Sequence, residues 1–96
     1  MAAESLLLCV TARVPAEGVA LFQAYEAAVL PLLPEHGGRL ERRLRSDDGT
    51  VEVHIIRFAP AAGFESFRAD PRRVAVADLL ARSGATTEVM TMADAA

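Results

Sequence analysis

Residues 39–58 read RLERRLRSDDGTVEVHIIRF. Two strand-like runs flank Ser46-Asp47-Asp48-Gly49, a turn in which Gly49 suits a positive φ, so the segment predicts a β-hairpin. The second run, Thr50 to Phe58, alternates. Val51, Val53 and Ile55 point one way, and Glu52, His54, Ile56 and Phe58 the other. The first set is expected to face the helices, and the second to lie on the uncovered side of a sheet. The first run, Arg39 to Arg45, sets Leu40 and Leu44 against Glu41, Arg43 and Arg45, and Arg42 breaks the pattern.

The neighbouring segments extend this reading. Ser5 to Val14 is apolar on both faces around Leu6 to Val10, as a central strand would be. Pro15 ends it, and a helix follows from about Ala16 to Glu35. Leu21, Phe22, Tyr25, Val29, Leu32 and Leu33 form its apolar stripe, with Gln23, Glu26 and Ala27 toward the other side. Pro31 and Pro34 predict a kink near Leu30, and Gly37-Gly38 a stop. After the hairpin, Phe64 to Ala69 and Arg72 to Ala81 read as helices broken by Asp70-Pro71. Thr86 to Met92 reads as the last strand. The order β-α-β-β-α-β predicts a ferredoxin-like α+β domain over residues 1–96, with a four-stranded antiparallel sheet. Helices on one face leave the other face open, so two copies are expected to pair through their sheets as a dimeric α+β barrel.

Composition narrows the function classes. The chain has 96 residues, is 52% hydrophobic and carries a formal net charge of −3. Arg39, Arg42, Arg43 and Arg45 lie among Glu41, Asp47 and Asp48, as a solvated mixed-charge strand would, and not as a nucleic-acid patch. The single Cys9 falls within an apolar strand and reads as a small core residue. Leu6 to Val10 is too short for a signal segment, and no run has transmembrane length. A cytoplasmic protein that binds neither membrane nor nucleic acid is expected. One Cys and two His do not make a metal cluster, and no phosphate loop, nucleophile elbow or cofactor motif is present. No cofactor and no metal are expected.

The candidate site residues are therefore few. His54 can exchange a proton near neutral pH, and Glu52 two positions back can orient it. A strand histidine satisfied by a neighbour reads the same way. His36, beside Gly37-Gly38, either caps the helix end or lines a pocket with Tyr25. Arg43 either holds an anionic group or pairs with Glu52 or His54 across the hairpin, and Ile56 would line the same sheet face. Arg72 and Arg73 are expected to meet Asp70, Asp78 or a partner subunit.

Tyr25, Pro31-Leu32-Leu33, His36-Gly37-Gly38-Arg39, Val51 to Phe58 and the Phe67-to-Pro71 segment together resemble the DUF1330 family of small dimeric α+β barrel proteins. The resemblance implies architecture more than reaction. Its superfamily includes antibiotic-biosynthesis monooxygenases, isomerases and ligand-binding domains. Asp70-Pro71-Arg72-Arg73 replaces the Ser-Pro-Glu-Tyr stretch of relatives, which removes an aromatic from any shared pocket. Three functions remain open. The first is a cofactor-independent monooxygenase or isomerase using His54, His36 and Tyr25 on a small organic substrate, with Arg43, Glu52 and Ile56 as binding residues. The others are a homodimer that binds a small metabolite without turnover and a purely structural dimer.

Overall fold

The hairpin forms where the sequence places it, and the rest of the chain is arranged around it. The computed structural model describes residues 4–95. Strand β1 spans Leu6–Arg13, and a 3₁₀ turn at Ala16–Gly18 leads into helix α1, Val19–Val29. A 3₁₀ segment, Leu30–His36, carries the two prolines and breaks the helix at Leu30, as the missing amide donors require. Gly37 ends it in the left-handed region, at φ 72°. Strands β2, Gly38–Arg45, and β3, Val51–Phe58, form the hairpin, with Gly49 at φ 77°. Helices α2, Gly63–Arg68, α3, Pro71–Ala75, and α4, Ala77–Ser83, precede β4, Thr86–Met92.

The sheet is antiparallel, in the order β2-β3-β1-β4, which is the ferredoxin-like arrangement. It is open, with β2 and β4 as its two edges, and is neither closed nor curled into a barrel. The expected α+β barrel is corrected on this point. Each inner strand pairs on both sides, but nothing joins β2 to β4.

The faces of β3 are also the reverse of the expectation. Glu52, His54, Ile56 and Phe58 are buried, while Val51, Val53, Ile55 and Arg57 are half-buried. Phe58 and Ile56 pack with Leu8 of β1, Tyr25 and Val29 of α1, Leu32 and Leu33 of the 3₁₀ segment, and Phe67 of α2. Burying each large apolar side chain contributes about 1.5–3 kcal/mol, so Phe58 and its neighbours fix which face receives the helices. The polar pair follows them inside because α1 and β2 supply ionic partners. The opposite face keeps its apolar residues without cover. Leu44, Met90 and Met92 are 46%, 40% and 45% exposed there.

A bulge in β2 explains the break at Arg42. Leu40 pairs with Ile56, but Arg42, not Glu41, pairs with Ile55. The extra residue changes which side chains face the helices. Leu40 does so before the bulge, and Arg43 and Arg45, opposite His54 and Glu52, do so after it. The helical run Ala16–His36 is long and apolar enough to cross a membrane by length and composition alone. Its buried residues, Gly18, Phe22, Tyr25, Glu26, Val29, Leu32 and Leu33, lie in the protein interior, and it consists of three segments. It is a core helix of a compact fold.

Candidate functional site

The face of β3 that sequence patterning assigned to the uncovered side holds the most concentrated buried chemistry. Glu26 stands on α1, one turn after Phe22 and one turn before Val29, so it projects with them onto the sheet. It is 2% exposed, and Glu52 and His54 are 1% and 7% exposed. Nε2 of His54 lies 2.7 Å from Oε1 of Glu52 and 3.0 Å from Oε2 of Glu26. Arg43 donates from Nε to Oε1 of Glu52 at 2.7 Å and from a terminal nitrogen to Oε1 of Glu26 at 3.1 Å. Arg45 donates to Oε2 of Glu52 at 2.8 Å. The two arginines roof the carboxylates from the β2 edge.

These contacts push the two carboxyls apart. Burial raises Glu26 above the usual range, and its hydrogen bond with Glu52 adds to that, against the opposing pull of His54. Burial alone would also raise Glu52. Hydrogen bonds from Glu26, His54, Arg45 and Arg43 outweigh it and bring Glu52 down to about 2. Burial alone would depress His54, but Glu26 and Glu52 outweigh it and raise the imidazole above 6.5. Glu52 is thus held as the anion, while Glu26 and His54 both keep their protons more tightly than they ordinarily would.

The cluster lines a cavity of about 390 Å³ between sheet and helices. Val10, Ile56, Phe22 and Val29 contribute apolar wall, Tyr25 and Arg73 a second polar region, and Thr87 and Val89 of the exposed β4 edge part of the rim. One donor atom each from Glu26, Glu52 and His54 lies within 4.8 Å of the others, a spacing that could hold a metal ion. The guanidinium of Arg43 already binds both carboxylates, so a cation would have to compete with a fixed positive charge.

The sequence candidates divide between two places. Tyr25, Glu52, His54 and Ile56 line the cavity. Arg43 is not among its lining residues and serves as the ionic partner of Glu52, one of its two expected roles. His36 does not share a pocket with Tyr25. Its Nε2 is 2.8 Å from Oδ2 of Asp70, and its Nδ1 is 2.8 Å from Oγ of Ser66. Asp70 also caps α3 through the Arg72 amide and accepts from the Arg72 guanidinium, which in turn reaches Glu35. Arg72 first, then His36, holds the Asp70 carboxyl well below the usual range. The order Ser66-His36-Asp70 matches a hydrolytic triad, but the Ser66 hydroxyl donates to the Gly63 carbonyl and Asp70 is already neutralised by Arg72. The arrangement is a clamp between the 3₁₀ segment and α2–α3. Gly63 allows it, since a Cβ there would strike the His36 carbonyl.

Glu26 and Arg73 were not among the sequence candidates for the site. The Phe22-Glu26-Val29 spacing carries the signal for Glu26, because those positions share one helix face. Arg73 was assigned to an acidic or intersubunit partner, and it has no ion pair among the described residues.

No family model and no curated protein matches the chain. Solved structures do. An uncharacterised NIPSNAP domain protein from Burkholderia xenovorans is 22% identical with a TM-score of 0.73, over 95% of each chain. SnoaB, a cofactor-independent oxygenase from Streptomyces nogalater, is 21% identical with a TM-score of 0.68, over 98% of this chain and 96% of that one. Rv0793 from Mycobacterium tuberculosis is 18% identical with a TM-score of 0.66, over 96% and 98%. Identities this low establish a shared fold. The DUF1330 resemblance is corrected, since no family model matches and the structural likeness runs instead to NIPSNAP-domain and cofactor-independent oxygenase structures.

Proposed function

We propose that the cavity binds a small enolisable organic molecule and that Glu26 and His54 move protons on it in a cofactor-independent oxidation. The observation that carries this reading is the Glu26-His54-Glu52 cluster, buried yet lining a cavity of about 390 Å³. The solved oxygenase structure of the same fold is consistent with it. In this reading the cluster accepts a proton from an activated CH₂, and the His54 imidazolium stabilises the enolate. The carbanion reduces dioxygen and forms a C–O bond. His54 protonates the resulting peroxide, and loss of water leaves a carbonyl. The balance is CH₂ + O₂ → C=O + H₂O, with dioxygen as the oxidant.

The test separates proton transfer from oxygenation. Exchange of the α-protons of 2-tetralone in deuterated water is followed by NMR, and oxygen uptake by electrode. His54→Gln is expected to slow exchange by about 10²-fold or more while leaving the far-UV spectrum intact. Exchange without oxygen uptake would move the assignment to an isomerase. No enzyme-dependent exchange over a panel of cyclic ketones and β-diketones would overturn catalysis and leave metabolite binding. That second reading is favoured by the double attachment of His54 Nε2 to Glu26 and Glu52, which holds it away from a substrate.

A homodimer through the open sheet face belongs to the same proposal. Leu44, Met90 and Met92 stand exposed on the face that also carries Val53 and Cys9. A second copy would cover them without entering the cavity, which lies on the other face. Met90→Glu is expected to turn a dimer into a monomer by analytical ultracentrifugation, and a wild-type monomer would sink the idea. A cytoplasmic setting fits one cysteine held as a thiol within a strand.

A further inference from the structure

Arg73 differs from the other arginines around the helices. Arg43, Arg45 and Arg72 each meet a carboxylate within 3.1 Å, whereas Arg73 has no ion pair among the described residues. Its Nε is shut off from solvent with no hydrogen-bond partner. One terminal nitrogen reaches only the Arg68 carbonyl, at 3.4 Å, and the guanidinium carbon sits 5.5 Å from the Phe67 ring centroid. A guanidinium without a counter-charge in a water-poor place is costly, and an acceptor brought beside it by a ligand would offset that cost. Arg73 lines the cavity, and so does Tyr25. Burial first, and then the Glu26 charge, push the Tyr25 hydroxyl up, and the nearby Arg73 guanidinium opposes them.

The second polar region of the cavity is therefore donor-rich, and it adjoins the Glu26-His54-Glu52 cluster through Tyr25, the chain neighbour of Glu26. We propose that Arg73 and Tyr25 form an anion-binding pole, and that the cavity takes an apolar molecule bearing one oxyanion, such as a carboxylate or an acidic enol. A neutral apolar molecule would leave the Arg73 guanidinium without a counter-charge. A dianion would place its second charge on apolar wall or against the anionic Glu52. This inference rests on the cavity being a small-molecule site, and it names the class of molecule.

Tyr25 is the only tyrosine and the chain has no tryptophan, so its fluorescence reports on this pole alone. The probes are 4-cyclohexylbutyrate and 4-cyclohexylbutan-1-ol, which share a body and differ in the charged end. The carboxylate is expected to bind about tenfold or more tighter than the alcohol. Arg73→Gln should remove that preference with little change for the alcohol, and Arg73→Lys should restore part of it. Melting followed by circular dichroism checks that both variants fold, and the Lys variant keeps the test open where the Gln variant does not. Equal binding of both probes, unchanged by Arg73→Gln, would overturn the anion pole and leave the cavity reading standing. Binding of neither probe would overturn both.

Discussion

His54 and His36 are each held against a carboxylate at less than 3 Å, yet they occupy opposite kinds of surroundings. The His54 cluster is enclosed by sheet and helix and borders a cavity, and its two carboxyls are driven in opposite directions. The His36 cluster lies at the surface end of the helical layer, where Arg72 bridges Asp70 and Glu35. In the first, a proton has several close destinations. In the second, every group is already committed, and Arg72 holds the anion. A histidine–carboxylate pair is thus not informative by itself. What surrounds the carboxylate decides whether the pair exchanges protons or fastens two segments.

Substitutions that break either cluster should separate these roles. The largest effect is expected for Glu52→Ala. It leaves Glu26, Arg43, Arg45 and His54 without their central anion, and removing one partner of a buried ionic group costs about 3–5 kcal/mol. Urea denaturation measures it, and a loss under about 1 kcal/mol would mean that the network contributes little to stability. Asp70→Ala should come next. It removes the side-chain cap of α3 and the clamp on His36, for a loss of about 1–2 kcal/mol in the same assay, with cavity-ligand binding unchanged. Glu35→Ala should cost less than about 1 kcal/mol, because its partnership with Arg72 is solvent-exposed.

Acidity offers a further separation. Glu52 lies at about 2 in the folded chain against 4.5 unfolded, so its contribution is complete above 4.5 and is lost as pH falls toward 2. The size is on the order of 3 kcal/mol. Glu26 and His54 are raised and act in the opposite sense. The His54 contribution is complete below 6.5 and is lost as pH rises through its higher folded value. Stability should therefore decline on the alkaline side, and His54→Gln should flatten that limb. NMR titration of His54 should give a midpoint above 6.5, moved downward by Glu26→Gln. A midpoint at or below 6.5 would contradict the carboxylate pairing.

The sequence carried the element order but not its orientation. Asp47-Asp48-Gly49 and the prolines of the long helix act locally, through backbone geometry, so hairpin and kink were legible. The face of β3 was not, because Val51, Val53 and Ile55 make the cleaner apolar stripe and patterning rewards them. The choice was made by distant partners, Phe67, Leu8, Arg43 and Glu26, that place the Phe58 side inward and neutralise what travels with it. His54 was legible as chemistry since only two histidines compete for attention. Glu26 was counted with the solvent side of α1 although its spacing from Phe22 and Val29 matched the buried one. Arg73 became visible only through the partner it lacks.

The bulge in β2 has a consequence for how the chain tolerates changes of length. Arg43 and Arg45 take their register from the Ser46–Gly49 turn, on one side of Glu41. The backbone pairing of Gly37 with Ala59 and the His36 clamp lie on the other side. Glu41 acts as a slack link between the two. Removing it would leave Leu40 opposite Ile56 and Arg42 opposite Ile55 in an unbroken ladder, so the arginines keep their carboxylates and the His36 side keeps its pairing, and the chain tolerates the loss of this one surplus residue.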